Sequence, residues 1–153
     1  MLTPSLTGWR AQYDRMQRSY ARVTGPYSSS VVYDDDVHHF MQDCWHLKDW
    51  IMNDPAAVIG TAIENHVKNY KALLIAAALA NGSKHLKLRA TKRPRLGANI
   101  TSTNVTVHVG QARPVDIDYE VTLSDGSTTS VDAVIRQAVM DWDALLAKIG
   151  LLP

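Results

Sequence analysis

The chain has one cysteine in 153 residues, Cys44. An internal disulfide is therefore excluded, and a reducing cytoplasm suits it. No stretch reaches the roughly 18 consecutive apolar residues that a membrane span requires. The most apolar segment, Tyr70 to Ala80, is too short and opens on Tyr-Lys, so no membrane partner is expected. Residues 1–10 carry Pro4, Gly8 and Trp9 where a signal peptide would have a basic start and an apolar run. The expected location is cytoplasmic. There is no internal repeat and no low-complexity tract. No Gly-x-Ser-x-Gly elbow supports a serine nucleophile, and no glycine-rich loop is present to cradle phosphates. No cofactor is expected.

A second absence is local. Residues 65–115 contain nine Lys/Arg and not one Asp or Glu, while residues 1–64 have five against eight and residues 116–153 two against seven. The net charge of +1 thus hides a basic middle between acidic ends. Such a segment suits a polyanion. It equally suits acidic faces of the same fold or of a partner copy. The length and the hydrophobic fraction of 46% fit one globular domain over 1–153 with a real core.

Along that domain the apolar pattern predicts an α+β, mainly α protein: a four-helix body over 3–88, a small antiparallel hairpin region over 101–130 and a closing helix over 131–149. Thr3-Pro4 is a helix start, followed by an apolar stripe of Leu6, Trp9, Tyr13, Met16, Tyr20 and Val23. Gly25-Pro26 ends it, and Tyr27–Tyr33 reads as a loop. Asp34–Asp36 would cap a second helix with inner positions from Val37 to Ile51. Pro55 starts a third to Val67, weakened by Gly60 and Thr61. A fourth, from Asn69 to about Gly82, is apolar nearly all round and should be buried. After a loop over 87–100 the period changes to two: Val105, Val107 and Val109, then Ile117, Tyr119, Val121 and Leu123, mark two strands. A short third strand falls at Thr128–Ser130. Ser130 caps a last helix whose stripe runs from Val134 through Trp142 to Ile149.

Three clusters are candidates for chemistry. Cys44 sits on an apolar helix face and reads as a buried structural thiol. His39, Asp43 and His46, spaced four and three apart on one helix side, have the ligand types for zinc or iron, with a further ligand to come from elsewhere. The third cluster is Asn81-Gly82-Ser83-Lys84-His85, at the border where the most apolar segment meets the most basic one. Here Asn81-Gly82 suits a helix C-cap, with His85 bonding a free carbonyl. Alternatively, Asn81, Lys84 and His85 form a polar site facing RNA.

An inner helix carrying Asn81 and, four residues on, His85 resembles the HEPN superfamily of small helical ribonucleases and RNA-associated modules. That signature is Arg, a polar residue that is often Asn, three to five more residues, then His. This chain has Ala80 at the arginine position. The resemblance implies Asn81 and His85 as the catalytic set, with Lys84 standing in for the missing arginine, if the chain is an enzyme, then a metal-independent ribonuclease. With Ala80 in place of Arg, weak or absent catalysis is expected. RNA would meet Lys84, Lys87, Arg89, Lys92, Arg93 and Arg95. Asp43–Ile51 together with Ala80–His85 is also similar to small uncharacterised bacterial and phage-related proteins. This leaves a second expectation from a different class: a non-catalytic homo-oligomeric or assembly protein, its four tryptophans and opposed charges suiting an interface.

Overall fold

The computed structural model describes residues 7–27, 29–84, 98–107 and 115–153, with side chains throughout except at 83–84, 98–107 and 115–116. Its elements are α1 (Trp9–Thr24), α2 (Ser30–Asn53), α3 (Ile63–Val67), α4 (Lys71–Lys84), β1 (Ala98–Val107), β2 (Val115–Leu123), β3 (Thr128–Ser130) and α5 (Val131–Lys148). The fold is α+β and mainly α. Its body differs from four full helices, because residues 55–67 are not one helix. Pro55–Ala57 and Gly60–Ala62 form single 3₁₀ turns, and α3 has five residues. The breaks fall at Val58 (φ 61°) and Gly60 (φ 53°), backbone that a right-handed helix cannot contain.

The helix starts also moved. Thr3 and Pro4 lie outside the described residues, and α1 opens at Trp9 behind Gly8. Gly8 has φ 86°, and a Cβ there would sit 2.9 Å from Asp54 Oδ2, so both conformation and space call for glycine. That carboxylate oxygen accepts from the Trp9 N–H at 2.9 Å, while Oδ1 accepts from the Ala56 N–H at 2.9 Å. Asp54 thereby ties the start of α1 to the turn after α2. α2 begins at Ser30, capped by Ser29, whose hydroxyl accepts from the Val32 N–H at 3.2 Å. Asp34–Asp36 therefore lie inside α2. A serine three residues from an amide it can cap competes well with the acidic run further on.

The buried face of α1 is Trp9, Gln12, Met16, Ser19 and Val23, with Ala11 beside it. Tyr13 and Tyr20, expected on that stripe, flank it half-buried. Two of the five core positions are thus polar. α4 buries Ala72, Leu73, Ile75, Ala76, Ala77 and Ala80 and packs on α2, α5 and β1. Small alanines let it approach closely on several sides.

The sheet has the order β1-β2-β3, all antiparallel. β1 starts at Ala98, earlier than the period-two reading, and its register with β2 slips between Ile100 and Ser102. That bulge explains the missed start: Ala98 and Ile100 are out of phase with Val105 and Val107 until Thr101 resets the count. Val109 and the connection Gly110–Pro114 lie outside the described residues. β3 is where it was expected. Ser130 caps α5, accepting from the Ala133 N–H at 3.0 Å. Val134, Ile135, Ala138, Val139, Trp142, Leu145 and Leu146 are all buried. They share one core cluster with α1, α2, α4 and the inner face of β2. Fully burying each such large side chain contributes about 1.5–3 kcal/mol.

Candidate functional site

The border between the apolar and basic segments lies at the end of α4. The helix runs through Asn81 and Gly82 to Lys84, so Asn81-Gly82 does not terminate it. Ala80 faces the core at 1% exposure, while Asn81 and Gly82 are half-buried. Successive helix positions differ by about 100°, which is why the buried stripe ends on residue 80 and turns outward at 81. His85, Lys87, Arg89, Lys92, Arg93 and Arg95 lie outside the described residues, as does the side chain of Lys84. The acid-free stretch is also divided in space. Exposed Lys68 and Lys71 stand at the start of α4, and Lys84 at its end, roughly 20 Å away along a 14-residue helix. The buried middle of α4 separates them.

His39, Asp43 and His46 do not form a metal-holding group, and among the described residues no set of three His, Cys, Asp or Glu side chains does. The physical reason lies across the α1–α2 contact. Asp43 Oδ2 accepts from the buried Ser19 hydroxyl at 2.5 Å. The Asp43 carbonyl accepts from the buried Gln12 side-chain amide at 2.9 Å. Arg15 donates to Gln12 Oε1 at 3.0 Å, Arg22 to Ser19 Oγ at 2.9 Å, and Arg22 stands 3.7 Å from Asp36. His39, meanwhile, is exposed. Sequence reading missed this polar ladder. Its signal was present, since Gln12 and Ser19 occupy the three-and-four spacing set by Trp9, Met16 and Val23.

A second cluster was also missed. Tyr27, Tyr33 and Tyr119 pack together where the start of α2 meets β2, Tyr27 tilted against Tyr33 and Tyr33 edge-on to Tyr119, with ring centroids 4.8 and 5.2 Å apart. The Tyr27 hydroxyl donates to the Ile117 carbonyl at 3.2 Å and accepts from the Ile117 N–H. Tyr119 donates to Asp34 at 3.1 Å. Burial, then the Asp34 carboxylate, pushes the Tyr119 hydroxyl up to about 12. Burial, with Asp118 next, raises Tyr33 further still. Both stay protonated, which suits anchoring rather than proton transfer. Cys44 is likewise pushed up to about 12 by burial, and a nucleophile needs the thiolate.

The tryptophans divide into two kinds. Trp9 and Trp142 are core residues; the Arg10 guanidinium lies 4.7 Å from the Trp9 ring, and the Trp142 indole donates to the Cys44 carbonyl at 3.0 Å. Trp45 and Trp50 are half-buried beneath cations: Lys48 Nζ lies 4.8 Å from the Trp45 ring and the Arg15 guanidinium 5.7 Å from that of Trp50. Lys48 also pairs with Asp49 at 3.1 Å and Glu64 at 3.0 Å. Trp50 borders an open cleft of about 660 Å³ with Thr7, Gly8, Asp49, Asn53, Asp54 and Pro55. Asp54 uses both carboxylate oxygens, and Asn53 its amide, on the protein's own backbone. No helix among the described residues is long and apolar enough to cross a membrane.

No family model matches the chain, and no curated protein or solved structure matches it significantly.

Proposed function

We propose that the chain is a non-catalytic, HEPN-like helical module that associates with RNA through the basic segment following α4. The observation that carries this reading is the burial of Ala80. In the signature it resembles, that position belongs to an arginine that acts on the scissile phosphate. Here the position faces the core, so a cation placed there would meet apolar packing and not a substrate. Beyond it, Lys84, Lys87, Arg89, Lys92, Arg93 and Arg95 follow in sequence without an acid. A run of this kind attracts a phosphate backbone without reading bases.

Binding of a generic single-stranded RNA, followed by fluorescence anisotropy, is expected at low salt. Its affinity should fall with salt at a log-log slope of about −0.7 per phosphate neutralised. Changing Lys87, Arg89, Lys92 and Arg93 to Gln together should flatten that slope, and the RNA should stay intact in both cases. No binding at low salt overturns the reading, and so does metal-independent cleavage lost in His85→Ala. Ala80→Arg should unfold the domain without creating a nuclease, because an unpaired buried charge costs several kcal/mol.

A further inference from the structure

β1 is an edge strand. It is hydrogen-bonded to β2 on one side and is the terminal strand of the sheet; among the described residues no strand pairs with its other side. The opposite edge, β3, has three residues and leads straight into α5. β1 has ten, so it presents a long ladder of backbone donors and acceptors. Natural edges of this length are usually blunted by Lys, Pro or inward charge. Ala98–Val107 contains no charged residue and no proline, leaving the bulge at Thr101 as its edge device.

The order of residue types says what fits there. Read from either end, Ala-Asn-Ile-Thr-Ser-Thr-Asn-Val-Thr-Val gives one pattern: apolar, polar, apolar, four polar, apolar, polar, apolar. A strand with this symmetry matches itself run antiparallel. With Thr101 bulged out of the count in both copies and the two-fold axis passing through Thr103, Ala98 lies opposite Val107 of the second copy, Ile100 opposite Val105, and Asn99 opposite Thr106. The bulge keeps the faces consistent. Ile100 and Val105 are five residues apart, an odd number that would set them on opposite faces of a regular strand. Through the bulge, Ile100 pairs with Val121 and Val105 with Ile117, both buried residues of β2. Each apolar end of β1 is therefore in phase with the core side of the sheet, in both copies.

We propose that β1 joins β1 of a second copy across a two-fold axis, making one continuous six-stranded antiparallel sheet. The like-with-like match favours a copy of this chain over an unrelated extended peptide. A two-fold contact is self-complementary by construction, and backbone pairing of this kind holds strands together in other edge-to-edge associations. The inference is independent of the RNA reading.

Two experiments on the full chain test it. Sedimentation equilibrium over a wide concentration range should show a monomer–dimer equilibrium. Ser102→Lys/Thr106→Lys should give monomer alone, with an unchanged circular dichroism spectrum. Within one sheet the new lysines lie opposite Glu120 and Asp116 and are tolerated, whereas across the two-fold they bring like charges together. The second experiment reads the register. Asn99→Cys/Thr106→Cys should form a covalent dimer on mild oxidation, since directly opposed residues sit about 5 Å apart, within disulfide reach. Neither single variant should cross-link. Residues 99 and 106 are roughly 24 Å apart along a strand, so no such bond closes within a chain, and Cys44 is buried. A wild-type monomer at every concentration overturns the proposal. So does a dimer that survives the lysine variant, or a dimer whose double-cysteine form fails to cross-link.

Discussion

α2 is held at one level from two sides by different means. On the α1 side, buried Gln12 donates to the Asp43 carbonyl and buried Ser19 to the Asp43 carboxylate. On the α5 side, buried Trp142 donates to the very next carbonyl, Cys44, amid Leu145, Leu146 and Val139. The apolar side supplies most of the stabilisation, because area removed from water scales with buried carbon. Net hydrogen-bond contributions are smaller, about 0.5–1.5 kcal/mol each. The polar side supplies geometry: one rotation and one axial position of α1 satisfy Gln12 and Ser19, while an apolar stripe tolerates sliding. Unsatisfied buried donors carry the penalty for any other arrangement.

The largest expected effect breaks the apolar side. Trp142→Ala should destabilise by about 3–5 kcal/mol through the cavity and lost burial, lowering the thermal midpoint by roughly 10 °C, as read by differential scanning calorimetry. Next comes the polar side. Asp43→Ala leaves the Ser19 hydroxyl without its carboxylate acceptor and should cost about 1–3 kcal/mol in metal-free buffer. An equal loss only after chelation would return Asp43 to the role of metal ligand. Gly8→Ala should cost about 1–3 kcal/mol through its positive φ and the crowding against Asp54, tilting the start of α1. The smallest effect sharpens the contrast. Gln12→Leu, similar in shape, should cost only the net value of one hydrogen bond, about 0.5–1.5 kcal/mol. It should, however, broaden the NMR resonances of α1 if the polar ladder is what fixes its register.

Alkaline pH probes two groups that folding keeps neutral, one beside Trp142 and one in the tyrosine cluster at the start of α2. Cys44 is raised from 9.0 to about 12 and Tyr119 from 10.0 to about 12. Their neutral forms are favoured by folding, so the stabilisation is complete below pH 9 and is lost as pH rises through 12. Urea midpoints should therefore fall across that window. Cys44→Ala should flatten the early part of the decline and Tyr119→Phe the later part. Identical slopes in all three proteins would remove both groups from the account.

The strongest readings came from residues whose burial needs no distant partner to predict. The stripe of α5 and its Ser130 cap, the turn of period at the sheet, and the apolar α4 are local patterns with one physical interpretation. The α2 start was misread because two capping signals stood five residues apart, and local chemistry ranks neither when the choice depends on where Tyr33 and Asp34 meet β2. Tyr13 and Tyr20 took the place of Gln12 and Ser19 on the α1 stripe for a similar reason. Hydrophobicity favours tyrosine, and a buried glutamine is acceptable only where Asp43 stands ready across the interface.

The sequence by itself determined the class, the helix and strand order, the position of the core and the basic segment after α4, all of which follow from periodicity and charge along the chain. The tertiary structure alone decided which polar residues are buried and what Asp43 does. It decided also that the arginine position of the resembled signature, Ala80, belongs to the core. Each depends on which groups from distant segments converge, and burial turns a polar residue into a cost or an anchor according to the partner that packing brings to it.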